Sequence, residues 1–288
     1  MVELQAASGA APRVICFGAA HWDMLAQPRP GARGADAPGT VSRFAGGVAL
    51  NVARGLAAAG VAVTLVSAVG DDAEGRALVE AIAADGVDPA HVIAYSGAPT
   101  GAYVAIERSD GELLAAVADN RALDAMLPDH VALSGLPPAD FWFMEANLPP
   151  AMIRALAAAP GRPPLIADAV SEAKAARLRE ALARLDAIHC NRGEAEAICA
   201  TGLNAARAAA EALVIRGARR AVVTNGPLAA ADAGPHGVVT LKPECAVIRS
   251  ATGAGDALTA AHLAARLRGA RRGEALAAGL AAALLRAA

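Results

Sequence analysis

Residues 250–256, with the sequence Ser-Ala-Thr-Gly-Ala-Gly-Asp, bring two glycines and one carboxylate into one short segment. An apolar stretch at 246–248 precedes this segment and an alanine-rich run at 257–265 follows it, so we predict that it joins a strand to a helix. Unpaired backbone N–H groups and the positive dipole end at the start of a helix favour an anion. A carboxylate beside an anion is repelled unless it has a chemical role. The segment therefore predicts a phosphate site in which Asp256 acts as a base.

Two further groups of residues carry polar chemistry. Gly46 and Gly47 would let the backbone approach a ligand closely, and Asn51 offers both a donor and an acceptor, which suits sugar hydroxyls. Asp23 follows the first predicted strand, at the edge where ligands bind in open α/β sheets, and its carboxylate can accept two hydroxyl hydrogens. Each group also fits an ordinary loop, because glycine pairs and aspartates are common there. The preceding His21 is able to contact a ring or simply to pack.

The size and charge of the chain limit the partners that it can bind. It has 288 residues, 55% of them hydrophobic, which is enough for a substantial core. The formal net charge is −2, so there is no excess of lysine and arginine for binding DNA, RNA or an anionic membrane. We expect a small-molecule partner, and neither a nucleic acid polymer nor a membrane.

The cysteines and the N-terminal segment favour a cytoplasmic protein. The 4 cysteines are scattered, without a C-x-x-C pair or zinc-ligand spacing, and we expect them to be reduced. Residues 1–12 lack both the basic start and the apolar core of a secretory signal, so we predict a flexible tail. The most apolar window, 48–70, is interrupted by Asn51, Arg54 and several glycines, which argues against a membrane span.

Apolar strand candidates alternate with alanine- and leucine-rich helical windows along the chain. The predicted strands are Arg13–Phe17, 61–68, 140–144, Leu165–Asp168, 187–190 and Ala221–Thr224. The predicted helices are 51–59, 74–84, 150–159, 173–183, 194–200 and 205–216. This alternation is typical of parallel strands joined by crossover helices. We predict an open α/β sheet covered by helices on both faces, in a single domain that spans residues 13–288.

Two segments interrupt this alternation. Residues 25–44 are rich in proline and glycine, and residues 100–118 contain strand candidates at 103–107 and 112–117 around a Ser-Asp-Gly turn. The second segment is predicted to be a hairpin. Strands that lack helices of their own often form a flap, and we expect these to form a lid over the glycine-rich sites. The alternative is a plain extension of the sheet edge.

The order of these motifs resembles that of the ribokinase-like, or PfkB, family of carbohydrate and nucleoside kinases, from about Val14 to the C-terminus. The matching motifs are 18–23, Gly46-Gly47 with Asn51, 69–72 with Gly75, 99–101, Asn191 with Glu194, Thr224 with Gly226, and 252–256. The resemblance implies a ribokinase-like three-layer α/β sandwich with a mostly parallel central sheet and a small β lid. It also implies a kinase that uses ATP and Mg²⁺.

The resemblance assigns a role to each matching residue. Asp256 would take the proton from the acceptor hydroxyl, while the backbone around Gly253, Ala254 and Gly255 stabilises the phosphoryl charge. The expected substrate-binding residues are His21, Asp23, Gly46, Gly47, Asn51 and Glu145. The expected ATP-binding residues are Asn191, Glu194, Thr224, Gly226, Gly253 and Gly255. Of these, Asn191 and Glu194 would also position Mg²⁺, largely through water.

The chain departs from the family pattern at three positions. Ser250 stands where many members carry an aspartate of a monovalent-cation site, which argues against potassium activation. His21 replaces a common asparagine, and Ala229 replaces the second glycine of a nucleotide-binding element. Contacts to the acceptor and to the nucleotide are therefore expected to be atypical.

One branch of the family, the pseudouridine kinases, is the most similar. The residues that carry this similarity are 18–23, 144–149, 168–171 and Lys174. The resemblance implies transfer of the ATP γ-phosphate to the 5′-hydroxyl of pseudouridine, with Asp23 and Asn51 at the ribose. His21 or Trp22 would then lie near the base. A ribokinase-type or other sugar kinase is the alternative.

Proteins of other classes fit the sequence less well. A P-loop of the G-x-x-x-x-G-K-[ST] type is absent, and the third glycine and ribose-binding acid of a dinucleotide site are missing near Gly253. A catalytically inactive sugar- or nucleoside-binding protein would need loss of Asp256 or of the glycines before it, and all are present. We interpret Ser171 and Lys174 as helix surface residues rather than an S-x-x-K nucleophile pair, because the companion motifs are absent. A lid is able to pair with another subunit, so a homodimer is an open alternative.

Overall fold

A computed structural model describes residues 11–29, 31, 36–108, 113–244 and 253–287, and the strands in these ranges form two sheets. The strands are β1 (Arg13–Phe17), β2 (His21–Pro28), β3 (Gly39–Gly46), β4 (Ala62–Gly70), β5 (Asp88–Tyr95), β6 (Ala102–Glu107), β7 (Leu113–Asp119), β8 (Phe141–Glu145), β9 (Leu165–Asp168), β10 (Ala187–Asn191), β11 (Ala221–Thr224), β12 (Ala230–Gly234) and β13 (Gly237–Leu241). The α-helices are α1 (Val48–Ala58), α2 (Ala73–Ala84), α3 (Arg121–Asp124), α4 (Pro150–Ala158), α5 (Glu172–Ala175), α6 (Arg192–Cys199), α7 (Ala206–Ile215), α8 (Ala254–Leu267) and α9 (Arg272–Ala287).

The larger sheet has nine strands in the order β13-β12-β11-β10-β9-β8-β1-β4-β5. Strands β11 to β5 in this order are parallel, and only the pairs β11–β12 and β12–β13 of this sheet are antiparallel. Parallel neighbours require crossover connections, which the helices between these strands supply. The carboxyl ends of β1, β9, β10 and β11 therefore lie along one edge of the sheet.

Helices cover both faces of this sheet, as the side chains of β1 illustrate. Val14 and Cys16 are fully buried in a cluster with residues of α1, α2 and α8. Ile15 and Phe17, which point to the opposite face because strand side chains alternate, are fully buried with residues of α4, α6 and α7. Three layers result, which confirms the predicted α/β class.

The smaller sheet has four strands in the order β3-β2-β6-β7. Its pairing places Asp23 beside Tyr103 on one face, and Met24 beside Val104 and Val117 on the other. These strands come from the two segments predicted as a lid, although β2 begins earlier than expected. Asp23 accordingly lies within β2, in the small sheet, rather than at the end of the first strand of the large one.

One predicted helix is wrong. Residues 173–183 form only the short helix α5 and two 3₁₀ turns, Ala176–Leu178 and Leu182–Arg184. The reason is tertiary: Arg177 donates to the carbonyls of Ala146, Asn147 and Leu148, and Arg179 donates to those of Ala197 and Ile198. These bonds fix the backbone in tighter turns than its helix propensity alone favours. The prediction did not include β5, the β12–β13 hairpin or α9.

Several sequence predictions lie outside the described residues. They are most of the tail at 1–12, the turn at 109–111, the strand at 246–248, and Ser250 and Thr252. Within the ranges that are described, no helix combines the length and the apolar character that a membrane span needs. Cys16, Cys190 and Cys199 are buried thiols.

Candidate active site

Asp256 lies in the first turn of α8, where it meets a residue of α1. The Nδ2 atom of Asn51 donates a hydrogen bond to Oδ2 of Asp256 over 2.8 Å, across 205 residues of sequence. Oδ1 of the same amide accepts a bond of 3.4 Å from Arg54, which fixes the orientation of the amide. Gly253 immediately precedes α8 with φ of +77°, a left-handed conformation that glycine adopts without strain. The motif thus starts a helix, as its sequence predicts.

The surroundings of Asp256 tune its acidity. Its side chain opens onto a cavity but has protein on most sides, and this burial raises its pKa to about 6. The hydrogen bond from Asn51 and the charge of Arg286 act in the opposite direction, while the charge of Asp23 adds to the rise. A carboxylate with this pKa is ionised at neutral pH yet is a better proton acceptor than an ordinary aspartate.

His21 and Asp23 form the next part of the cavity wall. They lie on the same face of β2, and Nδ1 of His21 is 3.0 Å from Oδ1 of Asp23. Both atoms are buried, and neither makes an aligned hydrogen bond with any described residue. Gly46 leaves room for this carboxylate, since a Cβ there would lie 2.0 Å from Oδ2 of Asp23. His21 and Asp23 thus form a close pair in the cavity wall, and a carboxylate in such a wall is able to accept hydrogen bonds from hydroxyl groups.

The far end of the same cavity is also polar. Lys174 is half-buried, and its Nζ donates to Oδ1 of Asn147, which also accepts a bond of 3.3 Å from Asn120. Burial lowers the pKa of Lys174, and the nearby carboxylate of Glu145 partly opposes that shift. Lys174 is therefore not a helix surface residue, contrary to the sequence interpretation. Together with Tyr103 of the small sheet, these side chains enclose a space of about 650 Å³ with Asp23 and Asp256.

Glu145 lies behind this wall rather than in it. The side chain is fully buried and accepts backbone N–H bonds of 2.6 Å from Ala19 and Asn147. Burial raises its pKa to about 7 in spite of these bonds. Its contacts hold the backbone beside His21 and the amide of Asn147, so its effect on a ligand would be indirect.

Asn191 and Glu194 begin α6 with a reciprocal capping arrangement. Oδ1 of Asn191 accepts from the Glu194 N–H over 2.9 Å, and a carboxylate oxygen of Glu194 accepts from the Asn191 N–H over 2.8 Å. Both side chains line the cavity that contains Asp256, beside Asp168 at the end of β9. The N-x-x-E element is thus both a helix start and a part of the cavity wall.

The carboxylates on this side of the cavity repel each other. Burial, followed by the charges of Glu194 and Asp256, raises the pKa of Asp168 well above its usual range. Burial likewise raises the pKa of Glu194, with the charges of Glu172 and Asp256 adding to the shift. A divalent cation would relieve this repulsion. No three acidic, histidine or cysteine side chains of the described ranges converge on a metal position, so Mg²⁺ would take most of its ligands from phosphates and water.

A second cavity, of about 660 Å³, begins on the other side of the α8 N-terminus. It shares Thr224, Gly226, Gly255 and Leu258 with the first cavity, so the two are lobes of one cleft. Its walls are mainly aliphatic, and include Pro227, Leu228, Leu280, Ala283 and Leu284. Two charged residues, Lys242 and Glu244, also line it. A flat apolar ring would fit this lobe, and phosphates attached to such a ring would extend towards the start of α8.

Two sets of contacts join the small sheet to α2, which packs on the large sheet. Asp72 caps α2 by accepting from the Gly75 N–H over 2.7 Å, and it also accepts from the N–H of Thr100 over 2.9 Å and from its hydroxyl over 2.5 Å. Trp22 donates from its ring nitrogen to the Glu74 carbonyl over 3.1 Å, on the face of β2 opposite to Asp23. The motifs at 69–75 and 99–101 thus have a structural role. The bonds between Asp72 and Thr100 fix the backbone just before β6 begins.

Most of the predicted site residues therefore meet in one cleft. His21, Asp23, Gly47, Asn51, Asn191, Glu194, Thr224, Gly226, Gly253, Ala254, Gly255 and Asp256 line one lobe or the other. Glu145 and Gly46 support the wall from behind, and Trp22 points away from the cavity. The sequence prediction missed Tyr103, Asn120, His189, Leu258 and Leu284. Of these, only Tyr103 carried a sequence signal, because it lies in a predicted lid strand and is aromatic.

Comparison with known proteins places the chain in a family. The model described as pfkB family carbohydrate kinase matches residues 11–287. An uncharacterized sugar kinase of Escherichia coli, YeiI, is 32% identical over 152 residues, which cover 51% of this chain and 41% of that protein. A pseudouridine kinase of Escherichia coli is 27% identical over 194 residues, 66% of this chain and 62% of that protein. These alignments thus span about half of the length of the curated relatives.

Solved structures share the whole fold. A carbohydrate kinase from Agrobacterium tumefaciens has a TM-score of 0.82 and 31% identity, with 94% of this chain and 89% of that chain covered. Arabidopsis thaliana ribokinase, solved with ribose and ATP, has a TM-score of 0.83 and 23% identity, with 97% and 93% covered. The predicted ribokinase-like fold is confirmed.

Proposed function

The chain belongs to the pfkB family of carbohydrate kinases, and we propose that it transfers the γ-phosphate of ATP to a primary hydroxyl of a sugar or nucleoside. We further propose that the acceptor is pseudouridine and the product pseudouridine 5′-phosphate. The observation that carries the proposal is the two-lobed cleft, with Asp256 and the start of α8 where the lobes meet.

The residues of the cleft support a direct in-line transfer. Asp256, held by Asn51, would accept the proton of the attacking hydroxyl, and its pKa of about 6 leaves it ionised at neutral pH. The backbone N–H groups at the start of α8 would stabilise the charge on the transferred group. We call the first cavity, which contains Asp23 and Asp256, the acceptor lobe. The small sheet would exclude water from it, as lids do in other phosphotransferases. Alignment and electrostatics are most of what phosphoryl transfer requires.

Magnesium fits the acidic side of the cleft. Asn191 and Glu194 would hold it largely through water, and the ion would favour the ionised form of the nearby Asp168. The ion would supply positive charge to the phosphate oxygens. We propose no monovalent-cation requirement because Ser250 replaces the aspartate of that site. Equal rates in potassium, sodium and tetramethylammonium chloride would support this, whereas a rate that depends on potassium would contradict it.

The far end of the acceptor lobe supports a nucleoside over a simple sugar. Asp23 and Asn51 are sufficient for a pentose, but the lobe continues to Lys174, Asn147 and Asn120. An ammonium group and two amides offer donors for the carbonyl oxygens of a base and acceptors for its N–H groups. A free sugar would not reach these groups, so their remaining hydrogen-bonding capacity would add nothing to its affinity.

The test is ATP consumption with Mg²⁺ against a panel of pseudouridine, uridine, other nucleosides, ribose and hexoses. We expect the highest kcat/KM for pseudouridine and loss of the signal in Asp256→Asn. Preference for ribose or another sugar would favour the ribokinase-type alternative. No phosphorylation of any acceptor, in a chain that still binds one of them by calorimetry, would favour an inactive binding protein.

The lid suggests an assembly. Its outer face carries the exposed apolar side chains Val41, Val104, Ile106 and Val117, which are 73%, 36%, 43% and 70% exposed. We propose that a second copy of the chain covers them in a homodimer, because a contiguous apolar face of this kind is typical of an interface. Sedimentation velocity tests this, and a monomer at micromolar concentration would contradict it.

A cytoplasmic location fits the use of ATP and the free thiols, and fractionation of cells tests it.

A further inference from the structure

Arg286 lies against the start of α8, although no motif includes it. It is in the last turn of α9, and a Cβ built on Gly253 would be 3.3 Å from its Nε and 3.7 Å from its Nη2. The positive end of the α8 dipole is at the same place, so a second positive group there is unfavourable by itself. The guanidinium becomes favourable when negative charge is near.

Acidic side chains outnumber basic ones around Asp256. The charged and titratable groups that act on it or respond to it are Asp23 and His21 from β2, Asp168 from β9, Glu194 from α6 and Arg286 from α9. Asn51 from α1 adds a neutral hydrogen bond. Arg286 and His21 act against the acids and lower the pKa of Asp256, which burial nevertheless raises to about 6.

We propose that Arg286 is the charge-compensating residue of the transfer site, which holds Asp256 in its ionised form and offsets the charge that a phosphoryl group brings to the start of α8. This inference rests on the proposed function, because it gives Asp256 the role of base. Arg286 acts through Asp256 and the backbone at Gly253, and is a positioning residue rather than a catalytic one. Its side chain is exposed, so salt should weaken its effect.

A purely structural role is the alternative. A cation in the last turn of α9 also stabilises the negative end of that helix dipole. Loss of that contact would lower the thermal unfolding midpoint of the protein but would leave the titration of Asp256 where it is. The two roles therefore differ in pH dependence.

The experiment compares kcat/KM from pH 5 to 9 in the wild type, Arg286→Ala, Arg286→Lys and the control Arg271→Ala. Arg271 precedes the opposite end of α9, where its side chain is 88% exposed and pairs with Glu274. We expect the acid limb of Arg286→Ala to move to higher pH by on the order of half a pH unit, a modest shift because the charge is screened. Arg286→Lys should restore much of the wild-type profile, and Arg271→Ala should match the wild type.

A second measurement does not depend on turnover. The carboxyl carbons of ¹³C-labelled aspartate are titrated by NMR, and Asp256→Asn assigns the signal of Asp256. We expect a higher midpoint in Arg286→Ala than in the wild type, and a smaller difference in 0.5 M salt. An unchanged midpoint in Arg286→Ala would overturn the inference. If the wild type phosphorylates nothing, the proposed function fails, and the NMR titration still decides the effect of Arg286.

Discussion

The two lobes of the cleft are built in different ways. The acceptor lobe is lined by polar side chains from several elements, among them Asp23, Asn51 and Lys174. The nucleotide lobe, which is the second cavity and the place where we propose that ATP binds, is lined mainly by aliphatic side chains, with Leu280 and Leu284 of α9 in one wall and the charged Lys242 and Glu244 in another part. Asp256 and the start of α8 lie between the lobes.

This difference separates selectivity from affinity. Buried polar groups reject a ligand that leaves them unpaired, so the acceptor lobe should discriminate strongly between substrates. Apolar walls contribute affinity in proportion to the surface that they cover, and discriminate weakly between ligands of similar shape. We expect single substitutions to have large and specific effects in the first lobe, and small and general effects in the second.

The junction between the lobes should give the largest effect. Asp256→Asn keeps the shape and the contact with Asn51 but cannot accept a proton, so kcat should fall by roughly two to four orders of magnitude. Nucleotide affinity, measured by calorimetry, should change little. Turnover close to that of the wild type would remove Asp256 from the role of base.

The same variant has a predicted effect on stability. The pKa of Asp256 in the folded state, about 6, is above 3.8, the ordinary value for an aspartate. The fold therefore prefers the protonated form, and this contribution is full below pH 3.8 and is lost as the pH rises through 6. At pH 8 the ionised carboxylate destabilises the fold, so Asp256→Asn should raise the thermal unfolding midpoint. A lower midpoint would show that the variant is inactive because it is damaged.

The acceptor lobe should show the next largest effect. Asp23→Ala removes the buried carboxylate that we propose accepts two hydroxyl groups of the acceptor, and a hydrogen bond to a charged group contributes about 1.5–3 kcal/mol. We expect kcat/KM for the acceptor to fall by roughly ten- to a hundredfold, with the KM for ATP nearly unchanged. The control is Asp129→Ala, which removes an exposed carboxylate of a 3₁₀ turn. Equal losses for acceptor and ATP would contradict the separation of the two lobes.

The sequence predicted the residues whose role depends on local backbone. Gly253 and Asp256 follow from a predicted strand-to-helix junction, and Asn191 with Glu194 from a helix cap. Each of these features is encoded by a few consecutive residues, so a sequence pattern is able to show it. The resemblance implies that His21 or Trp22 lies near the base, but β2 begins at His21 and strand alternation turns the ring of Trp22 away from Asp23. Once that strand is assigned, the alternation is predictable.

Other residues of the cleft had no local signal. The sequence alone predicts that Lys174 is a helix surface residue. In the structure, the tertiary bonds of Arg177 interrupt the helix, and the ammonium group of Lys174 donates to Asn147. Leu284 and Arg286 stand in an alanine- and leucine-rich helix whose sequence does not show which side meets α8. That contact depends on how two helices pack over the sheet, which a linear pattern does not contain.

The nucleotide lobe should show the smallest effect, and neighbouring leucines of α9 allow it to be measured. Leu284 lines the lobe, whereas Leu285 is 83% exposed on another side of the helix. Leu284→Ala removes part of an apolar wall, and with about 25 cal/mol per Å² of lost contact we expect the KM for ATP to rise roughly three- to tenfold. The KM for the acceptor should stay constant, and Leu285→Ala should match the wild type in both constants. An acceptor KM that rises with that of ATP in Leu284→Ala would mean that the lobes are coupled through α8, and that affinity and selectivity are not divided between them.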